Sequence, residues 1–290
     1  NGAVPARRRT DAGNHADVLK HIVLSRLIEH LKKKDKAFRI IDLHAGIGVY
    51  DLNADAAART GEWRQGVGRF YDDTGMPLAL SEPAEVLLSP WRSVVAAVNG
   101  IGALRAYPGS PELARQLIRK SDRLMLNELH PEDFANLRER YGRDRSVTLT
   151  ELDAAIAIKA QLPPPERRGL VLLDPPYERE DECERTLKAL RDGLERFATG
   201  VFCIWYPITG DGLSDAMVDR IRAMETPKTL VAELTVRAVM HAGGLAGSGL
   251  ATVNAPWTLD EELAILLPEL RERLAQSSEA RTKMEWLRRD

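Results

Sequence analysis

Cysteine is scarce in this chain: Cys183 and Cys203 are the only two in 290 residues. Two such residues make neither a disulfide framework nor a metal-ligand set, so no metal is expected and a reducing compartment suits the protein. Long hydrophobic runs are missing too. Stretches such as Gly200 to Tyr206 are far too short to span a bilayer, and the first residues lack an apolar signal core, so a cytoplasmic protein with no membrane partner is expected. There is no excess of charge of one sign: 41 basic against 43 acidic residues leave a formal charge of −2. No global pull toward nucleic acid follows, and any such partner must meet a local patch. Internal repeats and low-complexity tracts are also absent. Apolar content is ample: 44% of the 290 residues are hydrophobic, which allows one large domain or a domain with an insertion.

Apolar positions at three-to-four spacing, Val18, Leu19, Ile22, Val23, Leu27, Ile28 and Leu31, predict an amphipathic helix over 14–34. A strand over 37–43 then empties into His44-Ala45-Gly46-Ile47-Gly48, the first half of a nucleotide-binding βα unit. Residues 50–105, broken by Gly75-Met76-Pro77, Glu82-Pro83 and Ser89-Pro90, read as an inserted subdomain of several short helices. The interrupted unit resumes at 106–111, where Ser110 reads as an N-cap and Pro111 as the first helical residue. Strands and helices then alternate, so the fold class is α/β: a Rossmann-like, mostly parallel sheet flanked by helices, formed by residues 1–49 and 106–290. Two strands joined near 242–247 read as a terminal hairpin, and a helix over 260–274 is followed by a charged, frayed remainder.

The most informative string is Leu170-Val-Leu-Leu-Asp174-Pro175-Pro176-Tyr177. A buried strand ending in an acid, two prolines and an aromatic ring delivers them to the C-terminal edge of a sheet, where open α/β folds bind ligands. The prolines have no N–H and fix φ near −65°, so the neighbouring carbonyls are unpaired and rigidly aimed. An exocyclic amine on adenine is a poor nucleophile. The Asp174 carboxylate and the Pro175 carbonyl can each accept one of its N–H groups, while Tyr177 stacks on the base and an electrophilic methyl is attacked in line. A strand end with a solvated Asp is the plain alternative.

Other candidates sit at the same predicted sheet edge. Glu128 lies eighteen residues after Ser110, close to the spacing at which an acid meets a ribose hydroxyl pair. Asp153 ends the third strand, where it suits the amino group of a bound adenine ring, with the Ala154 N–H beside it. Ser110 places backbone donors at a positive helix end. The turn lacks a full Gly-x-Gly-x-x-Gly, which argues against a dehydrogenase. Lys20 and His21 lie near the Asn14-His15-Ala16-Asp17 turn, and a lone His is more often structural. The clusters Arg7-Arg8-Arg9, Lys32-Lys33-Lys34 and Arg167-Arg168 are ordinarily solvated charge, and become phosphate contacts only beside a nucleic acid.

Residues 12–21, His44 to Gly48, Tyr107-Pro108-Gly109-Ser110-Pro111, Glu128-Leu129-His130-Pro131, Asp174 to Tyr177 and Trp205-Tyr206-Pro207, in that order and over nearly the whole chain, resemble the bacterial 23S ribosomal RNA adenine-N6 methyltransferases of the RlmJ type. The resemblance implies S-adenosyl-L-methionine as methyl donor and methylation of one adenine, 2030 in the usual rRNA naming, on free or protein-poor 23S RNA by a monomer. It implies cofactor contacts at His21, His44, Ser110, Glu128, Asp153 and Ala154, catalysis by Asp174, and Lys20 near the target base with Pro175, Pro176 and Tyr177. The chain departs from the family at Ala6, where a tyrosine is usual within an altered Ala6 to Asp11 segment, and at Ala154, where glycine is usual. Alanine there needs a φ below zero. Two other readings stay open: the same chemistry on DNA or another RNA, and a cofactor-binding homologue with impaired catalysis.

Overall fold

The computed structural model describes residues 12–54, 60–241 and 244–289. The altered Ala6 to Asp11 segment, the arginines at 7–9 and part of the expected 242–247 connection lie outside them. Helix α1 (His15–Lys32) starts where the sequence places it: Asn14 Oδ1 accepts the N–H groups of Ala16 at 3.0 Å and Asp17 at 3.1 Å, and Asp17 reaches back to the Gly13 N–H at 2.9 Å. This reciprocal cap satisfies N–H groups that have no partner inside the helix.

Strand β1 (Arg39–Asp42) runs into the glycine turn and a short β2 (Val49–Asp51). Two 3-10 turns follow, Glu62–Gln65 and Val67–Phe70, then helix α2 (Glu82–Asn99) and β3 (Ala106–Pro108), the antiparallel partner of β2. In the stretch expected to hold several short helices, the described residues include these two 3-10 turns and a helix of 18 residues. Pro90 sits inside it without breaking it, because the carbonyl its ring leaves unpaired belongs to Val86, a residue on the exposed face where water can serve as donor. Trp91 and Val94 on its other face join the same apolar cluster as Leu19 and Ile22 of α1.

The chain continues as α3 (Ser110–Leu117), β4 (Arg123–Asn127), α4 (Pro131–Tyr141), β5 (Val147–Thr150), α5 (Ala154–Gln161), β6 (Gly169–Leu173), α6 (Glu182–Arg196), β7 (Val201–Ile208), α7 (Leu213–Ala223), β8 (Thr229–Thr235), β9 (Gly247–Val253), α8 (Leu259–Leu274) and β10 (Arg281–Arg288). The sheet order is β10-β8-β9-β7-β6-β1-β4-β5. The five strands from β7 to β5 are parallel, and β8 and β9 form the antiparallel pair that the terminal hairpin called for. Alternate strand residues feed two cores: Ile40, Leu170 and Leu172 face α1, while Ile41, Val171 and Leu173 face α5 and α6.

One expectation fails. The charged tail is ordered strand: β10 pairs antiparallel with β8, Lys283 opposite Glu233 and Trp286 opposite Leu230, and the Trp286 indole N–H donates to Asp260 at 3.0 Å. An edge strand needs only one covered side, and its exposed lysines and arginines hide the alternation that marks it.

Strand order reverses between β1 and β6, with β4 and β5 on one side and β7 on the other. That is the position at which open α/β sheets hold ligands, beyond the C-terminal strand ends.

Candidate active site

A cavity of about 810 Å³ opens at this switch point. Lys20, His21, His44, Ser110, Asp174, Pro175, Pro176 and Tyr177, all expected from the sequence, line it. Glu128, Asp153 and Ala154 do not.

The Asn14 cap sets the rotation of α1, so Asp17 and Lys20, three residues apart, share one face. Lys20 Nζ lies 2.7 Å from Asp17 Oδ1 and 2.7 Å from Asp174 Oδ2. All three side chains are largely shielded from water. Burial alone favours a neutral amine, but the two carboxylates outweigh it and hold the lysine above its ordinary value. Burial likewise opposes ionisation of Asp17, yet Lys20, His21 and the Gly13 N–H bring its carboxyl down to about 2. The cluster is one cation between two acids.

Asp42 ends β1. Its carboxylate accepts from the His44 N–H at 3.1 Å and from Ser110 Oγ at 2.6 Å. Burial pushes its carboxyl up to about 6 in spite of those two bonds. Ser110 is therefore not the expected cap; Gly109 holds that position, and Ser110 is the first helical residue, with its hydroxyl tied to the neighbouring strand. His44 Nδ1 accepts the Asp174 backbone N–H at 3.3 Å, which requires the neutral ring with its proton on Nε2. The turn between them uses positive φ at Gly46 (67°) and Gly48 (90°). A Cβ on Gly48 would stand 2.6 Å from the Tyr141 hydroxyl, so no side chain fits.

Glu128 lies beneath this turn. Its Oε2 accepts from the Gly46 N–H at 2.8 Å and its Oε1 from the His130 N–H at 2.9 Å. Asp153 caps α5 through the Ala155 N–H at 2.9 Å and pairs with Arg185 at 2.5 Å. Ala154 opens α5 without a positive φ, so alanine sits there unstrained. His21 stacks on Tyr107 with ring centroids 5.4 Å apart, and its Nδ1 is 3.0 Å from the Tyr107 hydroxyl. Burial lowers the His21 ring to about 3, so it is neutral at physiological pH.

Tyr177 holds a φ of 51°, unusual for a bulky side chain, and donates its hydroxyl to the Trp205 carbonyl at 2.7 Å. The two rings lie 5.8 Å apart and Lys20 Nζ stands 5.7 Å from the Trp205 ring. No described residue donates to the Pro175 carbonyl. Sequence reasoning gave no individual role to Trp205, Arg237, Tyr50 or Glu62, which also line the cavity. Trp205 was within reach, because it stands near the C-terminal end of a predicted parallel strand; the others come from loops and the inserted stretch.

A carboxylate, two prolines and two aromatic rings thus line one cavity beside a glycine turn. Comparison with known proteins gives this arrangement a family. The family model described as Ribosomal RNA large subunit methyltransferase D, RlmJ, matches residues 35–288. Ribosomal RNA large subunit methyltransferase J of Haemophilus influenzae is 39% identical over 277 residues, 95% of this chain and 96% of the relative. The protein of the same name from Escherichia coli K12 is 38% identical over 281 residues, 97% and 98% of the two chains. A crystal structure of a Legionella pneumophila protein superposes with a TM-score of 0.82 at 31% identity, covering 95% of this chain and 98% of the other. The chain belongs to the RlmJ family of ribosomal RNA large subunit methyltransferases.

Proposed function

We propose that the protein transfers a methyl group from S-adenosyl-L-methionine to the N6 amine of an adenine in 23S ribosomal RNA, with adenine 2030 as the position the family resemblance implies. The observation that carries this reading is that Asp174, held by Lys20, lines the switch-point cavity together with Pro175, Pro176 and Tyr177.

The residues present fit the cofactor. The turn through Gly46 and Gly48, each at positive φ, delivers His44 and Ala45 to the cavity wall, and a cavity of about 810 Å³ lies within the roughly 300–1,000 Å³ of small-molecule sites. His21, His44 and Ser110 would hold it at the cavity wall. Glu128 and Asp153 with Ala154 would act from the ends of β4 and β5, where each carboxylate oxygen keeps a second lone pair. When bound, the cofactor supplies an electrophilic methyl group.

The protein's part is positioning and charge. A flipped or single-stranded adenine enters beside Tyr177 and Trp205, because a paired amine cannot reach the donor. The amine donates its two N–H groups to Asp174 and Pro175, which draws it toward the tetrahedral shape an attacking nitrogen needs. Positive charge develops on that nitrogen. Asp17, Lys20 and Asp174 together carry a net charge of −1, so the field at the amine is favourable even with the ammonium present. The amine proton leaves afterwards, through Asp174 to water.

Residues 50–105 act as an inserted subdomain that completes one wall of the site through Tyr50, Glu62 and Gln65. The enzyme works as a cytoplasmic monomer on protein-poor RNA. Mass-spectrometric mapping of N6-methyladenine in ribosomal RNA from cells with and without the protein tests the substrate. Loss of one methyladenine in 23S RNA supports the reading. Unchanged RNA with altered DNA methylation moves the chemistry to DNA, and cofactor binding without turnover on either polymer makes the chain a binding homologue.

A further inference from the structure

The lysine run that ends α1 takes no part in the cavity. Because β1, β4 and β6 are parallel and in register at Arg39, Arg123 and Gly169, the segments that enter them share one edge of the sheet, opposite the active site. In a chain of net charge −2, that edge is strongly basic. Lys33, Lys34 and Lys36 precede β1, Lys120 precedes β4 and Arg167 precedes β6, and all five are exposed. Several acids nearby are already engaged: Glu29 by Lys32 at 2.6 Å, Asp122 by Arg119 at 2.9 Å and Glu166 by Arg39 at 3.0 Å. Asp35 is the further acid within the turn.

The turn is built to present these lysines. Carbonyls at a helix C-terminus need donors, and here two guanidiniums provide them. Arg119 donates to the Lys34 carbonyl at 3.0 Å and the Lys36 carbonyl at 3.2 Å; Arg168 donates to Lys36 at 2.7 Å and also to Leu31. Both pack on the buried Phe38 ring, 5.4 and 5.7 Å from its centroid. The arginines fix the backbone, and the ammonium groups stand in solvent. Beside them Trp257, 69% exposed, offers an indole face, with Lys33 Nζ 6.0 Å from its centroid.

We propose that this edge is a second RNA-docking surface, in which Lys33, Lys34, Lys36 and Arg167 hold phosphates of the substrate away from the methylated adenine and Trp257 stacks on an unpaired base. The inference rests on the reading that the substrate is ribosomal RNA. Clustered cations with an adjacent flat aromatic face suit a polynucleotide, which combines phosphates with stacking bases. Lys33 lies thirteen residues along α1 from Lys20, about 20 Å at 1.5 Å per residue, so the occupant must be an extended RNA rather than a single nucleotide.

The test measures binding of deproteinised 23S RNA by the full chain across salt concentrations, for the parent, a triple Lys33→Gln, Lys34→Gln, Lys36→Gln variant, and Trp257→Ala. Removing three phosphate contacts should flatten the log K against log salt slope by about 2, and weaken binding about tenfold or more near 0.1 M salt. Trp257→Ala should weaken binding several-fold with the slope unchanged. Methylation of a short oligonucleotide carrying the target adenine should keep its parental rate in both. Parental slope and affinity in both variants would overturn the proposal. So would lysine-dependent binding to anionic phospholipid vesicles with RNA binding unaltered. If the parent transfers no methyl to ribosomal RNA, the functional reading fails by a separate measurement.

Discussion

Lys20 Nζ stands 2.7 Å from Asp174 Oδ2 and equally close to Asp17 Oδ1, tying the first helix to the acid at the end of β6. The pair joins residues 154 positions apart. It fixes where the Asp174 carboxylate points before any substrate arrives.

Removing the cation should therefore cost both stability and rate. Lys20→Ala leaves two buried carboxylates facing each other, and breaking a buried pair in this way costs about 3–5 kcal/mol. Chemical denaturation should show a loss of that order, and methyl transfer should fall at least tenfold. A double Lys20→Ala, Asp17→Ala variant should recover part of the stability, since one of the stranded charges is gone.

The buried Asp42 makes a separate, pH-dependent claim. Its carboxyl is raised from an ordinary 3.8 to about 6, so the folded state binds the proton more tightly than the unfolded chain. Its contribution to stability is then fully present below pH 3.8 and is lost as pH rises through 6. Asp42→Asn, which keeps acceptor and donor capacity, should remove that dependence. The stability of the variant relative to the parent should rise between about pH 4 and 6 and level off above. A constant difference across that range would contradict the assigned burial.

His21 acts in the opposite direction. With its ring held near 3 against an ordinary 6.5, it must stay neutral in the fold, so its contribution is present above 6.5 and is lost as pH falls toward 3. His21→Gln should flatten the acid limb of a thermal-midpoint profile.

Gly48 tests the turn. Gly48→Ala meets both a φ of 90° and the Tyr141 hydroxyl 2.6 Å from the new Cβ. The backbone cost alone is about 1–2 kcal/mol. Cofactor binding by calorimetry should weaken more than tenfold, and Tyr141→Phe in the same chain should restore little of it, because the ring carbon 2.9 Å from the new Cβ remains as well as the backbone cost.

Much of this was legible in the sequence because the signals are local. The Asn14 cap, the apolar period of α1 and the Asp174 string each depend on a few neighbouring residues. The alternation of strands and helices then suffices to bring Lys20, His44, Ser110 and Asp174 to one cavity. Non-local pairings were hidden. The charges of β10 conceal a strand whose partner lies over forty residues upstream, and Pro90 looks like a helix end until the exposed face of α2 is known. Glu128 is singled out by spacing, but spacing says nothing of its two bonds to the backbone of the turn and of His130.

The most direct test of the central claim is methyl transfer from labelled S-adenosyl-L-methionine to deproteinised, unmodified 23S RNA by the parent protein and by Asp174→Asn, with the product base identified by mass spectrometry. The expected result is N6-methyladenine at a single position with the parent, and a rate at least a hundredfold lower with the variant while cofactor binding persists. Full transfer by Asp174→Asn, or a methyl group on any other atom, would contradict it.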